Sequence, residues 1–225
     1  MTTYDFPSGI PILRQGFCDT TTNDDVFKAT RGGGLPVTRR GPVLWKQEFS
    51  VITWGAKERA MKAFLANMDG MVNTCRAPDF FYSAEEATIS PQPELIPFFD
   101  ELFFITDFED GSPLAILMLG DHDRGETTIA VNANQSRVKL LTGHRVQIGN
   151  GLHYLTSDAE LDADGTGDLE IYPPLRKDTT SGAAIIASAA KGLWKIKEVS
   201  RPQFVSRGYY RRDFSLVEDI RAVRA

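Results

Sequence analysis

The chain has 225 residues, 42% apolar and 24% charged, with a formal net charge of −5. That length suits one large domain or two small ones with real cores, and the negative charge argues against broad nucleic-acid binding. Two cysteines, Cys18 and Cys75, are too few for a disulfide framework. No run of about 18 apolar residues is present to span a membrane, and MTTYDFPSGIPILRQGF lacks the basic-then-apolar order of a signal peptide. A reducing cytosolic site of synthesis is the expectation.

In chain order, Asp19–Arg40 reads as a polar loop or arm, with Thr20-Thr21-Thr22 and Gly32-Gly33-Gly34. Residues 43–54 alternate as a strand that places Val43, Trp45, Phe49 and Val51 on one face. A helix over Gly55–Met68 follows at once. Its apolar stripe is Ala56, Ala60, Met61, Phe64, Leu65 and Met68, with Lys57, Glu58, Arg59 and Lys62 outward, and Asn67 and Asp69-Gly70 stop it. Ser83–Phe99, with Pro91, Pro93 and Pro97, reads as extended, and Lys177–Ala190 as a loop that turns apolar. The remaining periodicity is that of short strands: Asp79–Tyr82, Leu102–Phe108, Pro113–Leu119, Thr127–Val131, Arg145–Ile148, His153–Leu155, Asp168–Tyr172, Ile185–Ala187, Leu193–Val199, Phe204–Tyr210 and Phe214–Val217. Gly149-Asn150-Gly151 is a hairpin turn signal, and Asp164-Gly165 a second. The implied fold is mainly β: a β-sandwich or barrel-like belt with one amphipathic helix, plus an inserted small β-barrel.

Charge is unevenly placed. Residues 85–126 hold eleven acids and one base, Arg124, whereas the chain from Lys195 onward holds eight bases and four acids. Each run is by itself a solvated face. Together they also suit an acidic flank of one copy meeting a basic flank of the next.

Catalytic and ligand signals are weak throughout. Asp162, Asp164, Thr166 and Asp168 resemble a calcium loop, but with Gly165 at position 6 the closing position 12 is Ile171, not Glu. A polar turn is the better reading. His122, His144 and His153 lack metal-ligand spacing. Gly32-Gly33-Gly34 is not followed by the Lys-Ser/Thr of a phosphate loop. Ser8, Ser112, Ser181, Cys18 and Cys75 have no nucleophile context, and Glu85-Glu86 and Glu109-Asp110 read as solvated acids, not a glycosidase pair. No catalytic, cofactor-binding or metal residue is assigned. Aromatic residues cluster at Phe80-Phe81-Tyr82, Phe98-Phe99, Phe103-Phe104 and Tyr209-Tyr210; adjacent rings on a strand face opposite ways, so some face a partner or a sugar.

The order of FPSGIP, a strand ending in Trp54, a helix running to NMDG, CRAPDFF, the stretch LLTGHRVQIGNGLHYLTSDAELDADGTGDLEIYPPLR and a return through KGLWKI resembles the distal tail proteins of long, non-contractile-tailed phages and related prophages. The stretch 80–110 has no counterpart in that pattern. The resemblance implies a discontinuous ring-forming belt (1–111 and 175–225), a peripheral barrel (112–174) entered near Ser112 and left at Pro173-Pro174, and no enzymatic activity. It implies a homo-oligomeric, hexameric ring at the virion tail tip, made in the host cytoplasm, with the tail tube protein and the tail-tip hub proteins as partners. It implies no membrane insertion, and contact with DNA only in passage, for which the 85–126 acids are candidates to line the lumen. Two other readings remain: a carbohydrate-binding β-module using Tyr82, Tyr154 or Tyr172 against a host-surface glycan, and an enzyme such as a cell-wall hydrolase, for which no constellation is apparent.

Overall fold

A computed structural model describes residues 2–21, 24–26, 37–39, 41–70, 72–82, 115–134, 138–187 and 190–224. The fold is mainly β and has two bodies, an open seven-stranded sheet and a closed six-stranded barrel. The sheet holds β1 (Thr3–Asp5), β2 (Ile12–Thr21), β5 (Leu44–Trp54), β6 (Thr74–Pro78), β15 (Lys191–Val199) and β17 (Tyr209–Glu218) in the order β1-β6-β15-β17-β5-β2. The short strand β16 (Gln203–Ser206) pairs with β17 beside them. Among the described strands of this sheet only the β1–β6 pair is parallel.

Strand β5 is the spine of this sheet. Trp45, Phe49 and Val51 are buried as the alternation requires, and Phe49 stacks on Phe214 of β17 at 5.3 Å between ring centroids. Helix α1 (Gly55–Met68) leaves β5 directly and lays Met61, Phe64 and Met68 onto the same core, where Phe6 meets Phe49 and Phe64 edge-on. Asp69, at φ 46, ends the helix in the left-handed conformation. On the opposite edge β2 breaks register between Leu13 and Phe17. There a Cβ on Gly16 (φ 153) would lie 1.8 Å from the Glu48 carbonyl oxygen, so only glycine lets the bulge lie against β5.

Three assignments on the helix are corrected: Ala56 and Ala60 of the expected stripe are exposed, and Glu58, expected outward, is not. Glu58 is buried, as is Arg212 of β17, and the two pair at 2.6 Å, with the Thr53 hydroxyl donating to the other Glu58 oxygen at 2.5 Å. Burial pushes the Glu58 carboxyl up, but Thr53 and then Arg212 outweigh it and hold the carboxyl below its ordinary range. Arg212 belongs to the basic C-terminal run, so that run is not a single solvated flank.

The barrel is made of β7 (Ile116–Met118), β8 (Thr128–Ala133), β10 (Arg145–Ile148), β11 (Gly151–Leu155), β13 (Thr166–Tyr172) and β14 (Ala184–Ile186), closed in the order β10-β11-β13-β8-β7-β14 with every pair antiparallel. Alternate residues fill it, among them Ile129, Val131, Val146, Ile148, Leu169 and Ile171. The short ladder of β9 (Lys139–Leu140) with β12 (Ala159–Glu160) adds Leu140 and Ala159 to the same core. Gly149-Asn150 forms the two-residue β10–β11 turn, with Gly149 at φ 57.

The barrel sits in the connection between β6 and β15, which are neighbours in the sheet. Its limits differ from 112–174. Because β14 pairs with both β7 and β10, the barrel closes only at Ile186, and Pro173-Pro174 lies within it.

Other differences are local. Asp79–Tyr82 is a turn after β6, and Phe204–Tyr210 is split by a turn at Arg207-Gly208. Within Asp19–Arg40, β2 runs on to Thr21, and β3 (Asp24–Val26) pairs antiparallel with β4 (Val37–Arg39). A short second helix, α2 (Ile220–Arg224), was not signalled by any apolar periodicity. Leu102–Phe108, Ser83–Phe99, Phe103-Phe104 and Gly32-Gly33-Gly34 lie outside the described residues.

Replacing Arg212 by Ala leaves Glu58 buried without its cation, at an expected cost of about 3–5 kcal/mol. Urea unfolding of the purified protein measures it; a loss below about 1 kcal/mol would mean that the pair does not anchor α1 to the sheet.

Candidate functional site at the junction of sheet and barrel

The polar and aromatic groups that the two bodies share converge on their junction. Trp45 of β5 donates from Nε1 to the Leu152 carbonyl of β11 at 2.6 Å, and Leu152 itself belongs to the core of the sheet. Arg145, at the start of β10, donates to Asp79 at 3.0 Å. Its guanidinium lies 4.9 Å from the Trp45 ring, 5.3 Å from Tyr154 and 5.7 Å from Tyr82. Asp79 is buried after the end of β6, so its charge needs this partner, and the flat guanidinium fills the gap between three rings as an ammonium could not.

A second tie stands where the chain returns from the barrel. Arg176 forks onto Glu218 at the end of β17, with Nε to Oε1 at 3.1 Å and Nη2 to Oε2 at 2.7 Å, and Nη2 also donates to the Val43 carbonyl at 2.6 Å. Oε2 of Glu218 further accepts the Trp45 backbone N–H at 3.2 Å. Burial pushes the Glu218 carboxyl up, and Arg176 is the largest force drawing it back.

The buried histidines are structural. His144 donates from Nε2 to the Ala187 carbonyl and so receives the Tyr82 hydroxyl at Nδ1, both at 3.0 Å. His153 donates from Nδ1 to the Pro173 carbonyl at 2.6 Å, and burial lowers its pKa to about 4. Both ring nitrogens of His122 face oxygens, of Glu126 at 2.7 Å and Leu119 at 3.0 Å. Among the described residues no group of three His, Cys, Asp or Glu side chains could hold a metal ion.

The remaining sequence candidates are dispersed. Asp162 spends its carboxylate on its own turn, accepting the N–H of Asp164 and of Thr166 and the Thr166 hydroxyl, as a polar turn requires. Cys18 and Cys75 are free thiols, Cys75 pushed up to about 12 mainly by burial and Cys18 raised further for the same first reason, with Asp79 adding to it. Ser181 binds the Gly120 N–H. Asp121 caps the Ser181 N–H and Glu126 the Asp123 N–H, so these acids of the 85–126 run close barrel loops. Ser112, Glu85-Glu86 and Glu109-Asp110 lie outside the described residues. The proposed sugar platforms Tyr82, Tyr154 and Tyr172 are half-buried. Arg145 lies over the first two rings, and Tyr154 and Tyr172 meet at 5.5 Å.

Arg145, Arg176 and Glu218 escaped the sequence reading because their partners lie 66, 42 and 173 residues away in the chain. Glu58 did carry a signal, since it precedes Met61, Leu65 and Met68 at helical spacing. No nucleophile and base meet at the junction; the arrangement holds two bodies together. A scan against protein-family models finds no matching family, and a search of curated proteins finds no relative.

Two outcomes are expected. Because His153 has a folded pKa of about 4 against 6.5 unfolded, the unfolded chain takes up the proton first as pH falls, so its contribution is complete above pH 6.5. Up to about 3 kcal/mol is then lost between pH 6.5 and 4. His144, lowered likewise by burial, acts in the same direction. Unfolding free energies across that range check this, and His153→Asn should flatten the slope. Arg145→Ala should cost at least about 2 kcal/mol by stranding Asp79, and Arg145→Lys should recover only part of it; full recovery by Lys in thermal melts would show that the stacking contributes nothing.

Proposed function

We propose that this chain is a structural virion protein, a distal tail protein forming a ring, hexameric as the resemblance implies, between the tail tube and the tail tip of a long, non-contractile-tailed phage. The sheet is the ring-forming body and the barrel its peripheral decoration. The observation that carries this reading is the unfinished state of the sheet. Its edge strands β1 and β2 each pair on one side only among the described strands, and the β16–β17 hairpin carries Phe204 at 68% exposure and Val205 at 55%. A monomer normally blunts free edges and covers such side chains. A subunit whose two edges differ can instead join head to tail, and a closing rotation makes a ring.

The same reading explains why the buried ion pairs and aromatic contacts of the structure serve rigidity. A ring between tube and tip transmits load and needs fixed angles, not a reactive pocket. Its partners are other copies of itself, the tail tube protein and the hub proteins, and DNA meets it only in transit.

Mass photometry and electron microscopy of the purified protein, alone and with isolated tail tubes, provide the test. A six-membered ring is expected in at least one of the two, and Phe204→Asp with Val205→Asp should abolish it while leaving the thermal midpoint of the subunit unchanged. A protein that stays monomeric alone and leaves the tubes undecorated would overturn the proposal.

A further inference from the structure

We infer that the cleft between Val43, Leu175 and the three arginines Arg124, Arg176 and Arg224 is a binding site for an oxyanion, a carboxylate or phosphate group. The cleft has a volume of about 560 Å³ and opens beside the Arg176–Glu218 fork, where the return from the barrel crosses the start of β5. Arg176 is buried, yet its Nη1 has no hydrogen-bond partner among the described residues and is not sealed from solvent. Its Nε and Nη2 are both committed, so the free nitrogen is held in place by the other two. That is a pre-organised donor: the entropy of fixing an arginine side chain is already lost before any ligand arrives.

The other two arginines approach from different elements. Arg124 stands in the barrel loop that precedes β8, and Arg224 at the end of α2. Neither guanidinium has an ion-pair partner among the described residues, and Glu218 is the one carboxylate within ion-pair distance of any of the three. Three arginines and no acid line the cleft, and the nearby carboxylates are Glu218, spent on Arg176, and Asp178, which accepts the Arg124 backbone N–H at 2.8 Å, so the lining carries excess positive charge. The cluster carries a repulsive cost in the empty state: partial desolvation first, then Arg124 and Arg176, hold the Arg224 guanidinium below its ordinary value. A planar, multidentate oxyanion removes that repulsion and matches the fork geometry of guanidinium donors. A metal cation or an apolar ligand would not. Because Arg124 belongs to a barrel loop and Arg224 to α2, the helix that follows β17 of the sheet, an anion held by both also ties the two bodies together.

The oxyanion has two sources, a free phosphate or an acidic side chain of a neighbouring protein chain, and titration separates them. Inorganic phosphate and a hexaglutamate peptide are each titrated calorimetrically into the full-length protein at fixed, low ionic strength. The same titrations are made with Arg124→Gln/Arg224→Gln and with the control Arg59→Gln/Arg76→Gln, two exposed arginines that do not line the cleft. Arg176 is left in place because it holds the fold. Loss of two charge-assisted donors should weaken binding at least tenfold in the first variant and leave the control unchanged. That variant should also melt no lower than the parent without anion, and gain less from its addition. Saturable binding of phosphate at lower concentration than the peptide marks a free-anion site, and the reverse order a site for a protein carboxylate. If neither ligand saturates, or if the first variant binds as well as the parent, the site does not exist.

Discussion

Inserting a closed barrel into the connection between two neighbouring strands creates a mechanical problem, because two adjacent crossings of the chain would act as a hinge. The Arg176–Glu218 fork removes that freedom. It joins the return from the barrel to the last residue of β17, and through the Val43 carbonyl and the Trp45 N–H it fixes the start of β5 as well. A buried ion pair gives little net stability relative to an apolar contact of the same shape. Its value here is directional: bidentate geometry allows one relative orientation of the groups it joins. Everything else at the junction, from Arg145 among its rings to Leu152 inside the sheet's core, presupposes that orientation.

The interior polar groups obey one economy. Each buried carboxylate among the described residues is matched by a cation drawn from a distant part of the sequence: Glu58 by Arg212, Asp79 by Arg145, Glu218 by Arg176 and Asp219 by Lys195. The buried histidines are kept neutral and spend their N–H groups on carbonyls. Such matching rigidifies without creating reactivity, since the low-dielectric surroundings that would activate an unpaired group are compensated at once.

What could be read in the sequence was what local periodicity encodes. The bounds of α1, Gly55–Met68, follow from its stripe and the Asp69-Gly70 stop, and β10 from Arg145–Ile148 bounded by the Gly149-Asn150 turn. The barrel itself was legible as a run of short strands. The closing strand was legible too, at Ile185–Ala187 against the observed Ala184–Ile186, but its place in the barrel was not, because nothing local in three residues ties them to β7 and β10. Strands β1 and β2 also escaped. Thr3–Asp5 is too short to show alternation, and the bulge at Gly16 shifts the phase of β2 midway, so neither half completes a pattern. The junction was invisible for a different reason. A charge whose partner lies tens of residues away looks solvated in a one-dimensional reading, and Arg145 and Glu218 sit among other polar residues.

The position of Leu152 has a bearing on how this architecture could be recombined. It belongs by chain to the barrel and by burial to the sheet, beneath Trp45. Cutting the chain at the two crossings would therefore not release a self-sufficient module: the excised barrel would expose Leu152, and the sheet left behind would carry an unfilled notch and an indole N–H with no acceptor. A transplant of the barrel into another host would succeed only if the host supplied counterparts of Trp45, Asp79 and Glu218. The unit that can be inherited or exchanged as a whole is thus bounded in space, by the surface that passes through these side chains, and not by two positions in the sequence.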